Sequence, residues 1–339
     1  MTNRGNPRKS WTAMAARVGE LVPLARLHPA VLAWTGKRRI SEVWCVALSG
    51  GVDSLALLLL LRAHFPRRKL VALHFNHRLR GRSSHADAAL CARVCQELGV
   101  KCLIGAWRPG PKAASESEAR KARHAYFDHA LKKIRTKALW LAHQQDDIAE
   151  TMLMRMARGS GTGGLAAPRP VHVMGDGRVH LRPLLTLKKA ELTAALKQTG
   201  VKWREDASNA GGDHFRNRVR SRVLPPWIKA AGRDALAGAA LSRELLEEDD
   251  VALEAWLDEL KPLDRRGGLV LNRLGGMPRA LLRRALHRWL LAVRPETDLS
   301  RQGFTQLLAA VERGRDTRFS LGAKGFAVVR RGQLKYHRA

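Results

Sequence analysis

Apolar positions along the chain come in short blocks that alternate with segments of helical character. Val43 to Leu48 is an unbroken apolar run of strand length, and Leu70 to Phe75, Val100 to Ala106 and Ala138 to His143 continue the series. Between and after them, Leu55–His64, Ser84–Leu98, Ser115–Arg135 and Asp146–Arg158 have the length and spacing of helices. Strands that alternate with helices predict a parallel sheet covered on both faces, a Rossmann-like α/β domain whose ligands sit at the carboxyl ends of the strands.

Upstream, Trp11 to Trp34 reads as one amphipathic helix packed on this domain. Downstream, a Gly-rich loop over 159–164 precedes a hairpin, Val171–Val173 and Val179–Leu184 around Gly175-Asp176-Gly177. Thr186–Thr199 is helical, residues 203–222 are polar and basic, and Pro225-Pro226 punctuates the chain. We expect the domain boundary there: 1–225 for the sheet domain with its helical extension, 226–339 for a smaller, mainly helical domain. That second domain shows helical spacing over Asp234–Leu260 and Pro278–Ala292, then a short β tail, Arg318–Tyr336. The run Glu247-Glu248-Asp249-Asp250 reads as a solvated helix face.

Composition alters this picture in one respect. With 45% hydrophobic and 27% charged residues, 339 residues suffice for a real core, but 61 Lys and Arg stand against 30 Asp and Glu, a formal charge of +31. Such a field attracts polyanions, and nucleic acid is the commonest large one; an Arg-rich codon usage is the bland alternative. No apolar run approaches the roughly 20 residues that span a bilayer, and no signal-peptide core follows the basic N-terminus, so no membrane and a cytoplasmic location are expected. Cys45, Cys91, Cys95 and Cys102 form no C-x-x-C pair and read as scattered, reduced, half-buried thiols.

The segment Ser49-Gly50-Gly51-Val52-Asp53-Ser54 joins the first strand to the first helix of the sheet domain. Two glycines let the backbone approach an anion, the N–H groups and helix dipole favour negative charge, and the Ser49 and Ser54 hydroxyls can add bonds. A plain helix cap is the alternative, since Ser and Asp are common at helix starts. The loop is not a Walker A motif, because it lacks G-K-[ST]. It resembles the PP-loop of the ATP pyrophosphatase superfamily, which cleaves ATP to AMP and pyrophosphate.

Four more segments are similar to the tRNA(Ile)-lysidine synthetase pattern, in order and spacing, over residues 43–225. They are His74-Phe75-Asn76-His77-Arg78-Leu79-Arg80; Ser115-x-Ser117-Glu118-Ala119-Arg120 with Arg123 and Tyr126; Ala142-His143-x-x-Asp146-Asp147-x-x-Glu150-Thr151 with Arg158-Gly159-Ser160-Gly161; and Arg182-Pro183-Leu184-Leu185 with Trp203-x-Glu205-Asp206-x-Ser208-Asn209 and Arg216-Asn217-Arg218-Val219-Arg220. The resemblance implies a ligase that adenylates the C2 oxygen of the wobble cytidine, position 34, in the CAU anticodon of an isoleucine tRNA. The ε-amine of free L-lysine then displaces AMP to give lysidine. The partners implied are that tRNA, bound partly by the 226–339 domain, lysine, ATP with Mg²⁺, and, as a candidate assembly, a homodimer.

Residue by residue, Ser49 to Ser54, His74, Asn76, His77 and His143 are the expected ATP site, with Asp53 the candidate Mg²⁺ ligand. Asp147 and Glu150, three apart on one helix face, are expected to cradle lysine's ammonium groups; acids near a helix start also occur without a ligand. Arg120 is expected to meet pyrophosphate or substrate, an ion pair with Glu116 being its plain alternative. Arg216, Asn217, Arg218 and Arg220 read as a patch for tRNA phosphates or as a solvated face. Asp53, Arg120, Asp147 and Glu150 form the expected catalytic set. The alternatives are a tRNA thiolase of the same superfamily and a non-enzymatic RNA-binding protein that keeps a nucleotide loop. If the charge binds RNA, log affinity falls linearly with log salt, by about 0.7–0.9 per phosphate neutralised. Titrations of tRNA binding across a salt series read the slope directly, and a flat line contradicts the electrostatic reading.

Overall fold

The computed structural model describes residues 10–78, 82–107, 116–204, 214–293, 299–322 and 325–338. The chain divides into two compact units, Met1–Leu246 and Glu247–Ala339.

Two helices, α1 (Trp11–Leu21) and α2 (Pro29–Gly36), stand where the hydrophobic pattern predicts a single one. Pro23 and Pro29 explain the break. Proline donates no N–H and its ring clashes with the preceding turn, so it is tolerated only in a helix's first turn, the place Pro29 takes in α2. The sheet domain follows as β1 (Trp44–Ala47), α3 (Val52–His64), β2 (Leu70–Asn76), α4 (Arg82–Glu97), β3 (Lys101–Ala106), α5 (Glu116–Ile134), β4 (Ala138–Trp140), α6 (Gln145–Met156), α7 (Thr162–Leu165), β5 (Val171–Val173), β6 (Val179–Leu181) and α8 (Lys189–Thr199). Then come α9 (Phe215–Arg218), a π-helical turn (Val219–Val223), α10 (Leu224–Ala230) and α11 (Ala235–Leu260), which runs across the unit boundary.

The strands lie in the order β3-β2-β1-β4-β6-β5, parallel except for β5, which returns antiparallel to β6 in the expected hairpin. The chain builds outward from β1 to β3, then restarts on the other side of β1 with β4. That reversal opens a crevice at the carboxyl ends of β1 and β4, the place where such sheets bind ligands.

The core explains the long apolar helix. Leu55 to Leu61 are each at most 1% exposed, and a helix apolar on all sides must be enclosed. The sheet covers α3 on one side, and α1 and α8 cover it on others. At Gly19 the approach of α1 is so close that a Cβ would stand 2.7 Å from that of Ala63. Beneath α3, Trp44 and Trp140 on adjacent strands are fully buried with ring centroids 4.5 Å apart, and Phe65 meets Trp44 at 5.2 Å. The other face of the sheet buries Cys45, Val71, Leu73 and Leu139 against Phe127 and Leu131 of α5, the alternation expected of strands. The first unit runs on past the diproline because Leu224 of α10 and Leu236 and Ala239 of α11 pack on Ile148, Ala149 and Leu185.

The second unit has its own core. Leu281, Leu286 and Trp289 of α12 (Arg279–Val293) and Leu307 and Leu308 of α13 (Arg301–Glu312) pack with Ala327, Val329 and Leu334. The last three lie on an antiparallel sheet ordered β7-β10-β9-β8, made by β7 (Leu269–Val270), β8 (Thr317–Ser320), β9 (Gly325–Arg330) and β10 (Gln333–Arg338). The expected tail is thus three strands of a four-stranded sheet. The acidic run is not wholly solvated either: Asp250 is buried and pairs with Arg284 at 2.6 Å. Among the described residues no helix is long and apolar enough to cross a membrane. Trp140→Ala should cost about 3–5 kcal/mol of stability, read from the urea midpoint, since truncating a buried aromatic leaves a cavity that close packing cannot refill. A loss under about 1 kcal/mol would show that the Trp44–Trp140 stack is dispensable.

Candidate active site

Four segments meet at the crevice between β1 and β4. The first is the loop after β1. Gly50 takes φ +87°, and a Cβ there would stand 3.3 Å from the Cys91 sulfur, so both conformation and space require glycine. Gly51 caps α3, whose first turn carries Val52, Asp53 and Ser54. The two serines face each other: the Ser54 hydroxyl donates to the Gly51 carbonyl at 3.1 Å and accepts the Ser49 N–H at 3.1 Å, with 3.0 Å between the hydroxyl oxygens. These hydroxyls knit the loop, and recognition of an anion falls to the backbone and the helix dipole.

Asp53 differs from the other acids of the crevice. Its Oδ1 is buried with no partner among the described residues. Burial first, and then the Asp147 charge, pushes its carboxyl up to about 6, while Lys189 and Arg220 pull the other way. An orphaned, buried carboxylate oxygen beside an anion loop fits a hard divalent cation, so this residue suits Mg²⁺.

The second segment does more scaffolding than expected. His74 Nδ1 donates to the Leu48 carbonyl at 2.9 Å, and burial holds its imidazole below the usual range. The Asn76 amide donates to the Ser84 carbonyl at 3.2 Å and its oxygen accepts the Arg78 N–H at 2.8 Å, which shapes the exit from β2. His77 packs edge-on against Phe75 at 4.8 Å. Leu79, Arg80, Ser115, Glu205, Asp206, Ser208 and Asn209 lie outside the described residues.

The third segment is the start of α6. Gln144 accepts the Asp146 N–H at 2.6 Å, and Asp147 Oδ2 accepts the Gln144 N–H at 3.0 Å, so Asp147 does serve as a helix cap. Its other oxygen takes Arg216 Nη2 at 2.5 Å. Glu150, 1% exposed, accepts Arg220 Nε at 2.6 Å on one oxygen, and Arg216 Nε at 2.8 Å and Arg220 Nη2 at 3.0 Å on the other. Two arginines read from the sequence as a phosphate patch thus turn inward onto the two acids read as a lysine cradle. Residues 216 and 220 are one helical turn apart and share a face, whereas Arg218 between them is exposed and lies over the Phe215 ring at 5.8 Å. Asn217 accepts the Ser221 hydroxyl on its backbone carbonyl at 2.8 Å.

The fourth segment follows β6. Arg182 Nε donates to His143 Nδ1 at 3.2 Å. Burial, then the charges of Arg182, Arg216, Arg120 and Arg123, hold His143 far below the usual imidazole range. Arg120 is exposed on α5 and adds to that field rather than standing apart.

Some members of the site carried no local signal. The Arg204 N–H donates to the Gly50 carbonyl at 3.0 Å, and its guanidinium holds Asp87 at 2.7 Å and the Ser83 hydroxyl at 3.2 Å. Lys189 gives its N–H to Asp146 at 3.0 Å. A pocket of about 450 Å³ opens beside the acids, lined by Asp146, Glu150, Lys189 and Arg220 and by Leu224 and Ile228. Cys91, Cys95 and Cys102 come together rather than scatter: Cys95 and Cys102 share a sulfur hydrogen bond, and burial pushes the Cys91 thiol up to about 12. Among the described residues no group of His, Cys, Asp and Glu is arranged to hold a metal ion by itself.

A family model described as the PP-loop domain matches residues 29–227, the span that carries every element of this crevice. The chain belongs to the PP-loop family. Curated relatives named tRNA(Ile)-lysidine synthase are similar to it: one from Geobacter sulfurreducens is 34% identical, over 76% of this chain and 56% of its own length. Another from Symbiobacterium thermophilum is 38% identical over 60% and 44%, and one from Pseudomonas syringae pv. tomato is 36% identical over 81% and 63%. The chain thus spans about half the length of the curated relatives it matches. Among solved structures, a U34-tRNA thiolase from Methanococcus maripaludis matches with a TM-score of 0.52 at 18% identity, over 69% of this chain and 78% of that one, and shares the PP-loop fold.

The raised Asp53 carboxyl makes a signed prediction. A group whose folded pKa lies above its unfolded value loses stabilisation as pH rises through the folded value, here between about 4 and 6. Asp53→Asn removes that loss, so in metal-free buffer it should be more stable than the parent at pH 7.5, by about 1–3 kcal/mol, and equal to it below pH 4. Thermal melts across pH measure this; a variant less stable at pH 7.5 contradicts the buried, unpartnered state of Asp53.

Proposed function

We propose that the chain is a tRNA(Ile)-lysidine synthase. It joins free L-lysine to C2 of the wobble cytidine of a CAU anticodon at the expense of ATP, and so changes decoding from AUG to AUA and amino-acid identity from Met to Ile. The observation that carries this reading is the set of acids on α6, beside the PP-loop, in a pocket that Leu224 and Ile228 also line. Lysine has a cationic end, an aliphatic stem and a carboxylate. Asp146 and Glu150 suit the first, Leu224 and Ile228 the second, and Lys189 the third.

In this reading the PP-loop backbone and the start of α3 receive the phosphates. The cytidine C2 oxygen attacks the α-phosphorus, and pyrophosphate leaves. The lysine ε-amine, having lost a proton, attacks C2; the C2–oxygen bond breaks and AMP departs. Asp53 would hold magnesium, which when bound would supply positive charge beside the phosphates. Arg120, Arg123 and Arg182 surround the same edge with fixed positive charge, which favours the leaving polyanion. Arg216 and Arg220 pair with Asp147 and Glu150, and lysine's ammonium replaces part of that pairing. Arg218, exposed beside the Phe215 ring, is the arginine of this segment that faces solvent and suits tRNA phosphate. The thiolase alternative has less support, because the relatives that are 34–38% identical carry the lysidine synthase name, whereas the likeness to the thiolase is at 18% identity.

Incubation with ATP, radiolabelled lysine and a CAU-anticodon tRNA should place lysine on the RNA with one AMP released per lysine. In Glu150→Gln the KM for lysine should rise about tenfold to a hundredfold, the loss of one charged hydrogen bond, while the KM for ATP stays within a few-fold. Lysine kinetics unchanged with ATP affinity lost would move Glu150 to the nucleotide site.

A further inference from the structure

The contact between Arg182 and His143 constrains where a proton can be. The two residues follow β6 and β4, paired parallel strands, and so stand together at the ligand edge of the sheet. Arg182 Nε points its hydrogen at His143 Nδ1 over 3.2 Å. A guanidinium has five donors and no acceptor. Nδ1 must therefore accept, which it does only without a proton, and the one proton of the neutral ring lies on Nε2. A second proton would set N–H against N–H beside a full positive charge. Arg182 is not placed to turn away: its Nη1 donates to the Arg169 carbonyl at 2.7 Å, and its backbone N–H to that of Pro170 at 2.8 Å. Arg182 keeps its charge at neutral pH, although burial and then Arg120 lower its pKa to about 10, with Asp147 opposing.

We propose that Arg182 is a positioning residue that locks His143 in the neutral tautomer with Nδ1 accepting, so that His143 acts as an Nε2–H donor to a phosphoryl oxygen of the bound nucleotide and not as a proton acceptor. The ligand part of this assignment rests on the ATP-using function proposed above; the tautomer does not. Two things point to a phosphoryl oxygen. Arg120, Arg123, Arg182 and Arg216 make the surroundings of the ring cationic, which suits a polyanion. A donor that stays neutral also needs no proton rearrangement when charge builds on that oxygen. Burial is the first reason the ring is neutral, and what the Arg182 contact adds is the choice of tautomer.

The test uses the full chain labelled with ¹⁵N-histidine, with His143 identified by its loss in His143→Gln. Two-bond ¹⁵N–¹H spectra between about pH 5.5 and 8, the interval in which an unconstrained imidazole titrates, should show a neutral ring protonated on Nε2 throughout. In Arg182→Leu the ring should stay neutral, because burial remains, but populate the other tautomer. The same variant should lower kcat by about tenfold to a hundredfold with the KM for ATP within about threefold. Arg182→Lys, which keeps a donor and a charge, should recover part of both signals, and Arg182→Met, which keeps the stem but no donor, serves in place of Arg182→Leu if that variant does not fold. His143→Gln, which keeps an N–H donor but no base, should exceed His143→Ala in kcat. A wild-type ring protonated on Nδ1 or charged at pH 7 overturns the proposal, as does a tautomer that is unmoved in Arg182→Leu. Equal inactivity of His143→Gln and His143→Ala overturns the donor role. A protein that shows the locked tautomer and its release in Arg182→Leu, yet transfers no lysine to RNA, upholds the lock and refutes the function proposed above.

Discussion

Glu150 is a carboxylate held almost wholly out of water, and much of the crevice is arranged around the cost of keeping it there. A lone buried charge is worth several kcal/mol of destabilisation, roughly the scale of a domain's entire stability. Arg216 and Arg220 meet that cost from one face of the segment that leads into α10. The helix bearing Leu224 and Ile228 is thereby brought over the start of α6, and the pocket acquires its apolar wall. The same ion pairs are poor candidates for net stabilisation, since a buried pair recovers little beyond its own desolvation. Their value is positional: they specify which segment lies against the acids.

Asp147 shows how one carboxylate serves two needs. One oxygen closes the capping box of α6 and the other takes Arg216. The choice between a helix cap and a ligand site, which looks exclusive when only the spacing of acids is known, dissolves once the two oxygens are counted separately. Asp53 is the counterpart whose Oδ1 has no such partner among the described residues, and burial and Asp147 resist its charge more than Lys189 and Arg220 favour it. A site that binds polyphosphate and a cation keeps this tension in the free protein and relieves it on binding.

The sheet, its helices and the loop after β1 were legible because their signals are local: apolar runs, helical spacing, and glycines between a strand and a helix. Three features were not. The single N-terminal helix failed because hydrophobic spacing continues through Pro23 and Pro29 while the backbone cannot. The pairing of the arginines with the acids was hidden because residues 216, 218 and 220 alternate in sequence, whereas a helix divides them, two inward and one outward. At His74 and Asn76, expected at the ATP site, Nδ1 and the amide hold neighbouring backbone, while His74 Nε2 is buried without a partner among the described residues, a division of one side chain that no motif spells out. A motif names the residues that gather at a crevice; it does not say which of them face the ligand.

The contact of Arg204 with Gly50 has a temporal meaning. The phosphate loop is written within six consecutive residues, yet its carbonyl at Gly50 finds its partner only in a residue beyond the last helix of the sheet domain, and that residue's side chain then grips α4 through Asp87. Contacts between such distant positions form late, because the chain between them must first be ordered. During synthesis β1, the loop and α3 emerge long before residue 204. The nascent domain therefore passes through a stage with sheet and loop present but the loop unclasped, and its nucleotide-binding geometry is among the last things the folding chain completes.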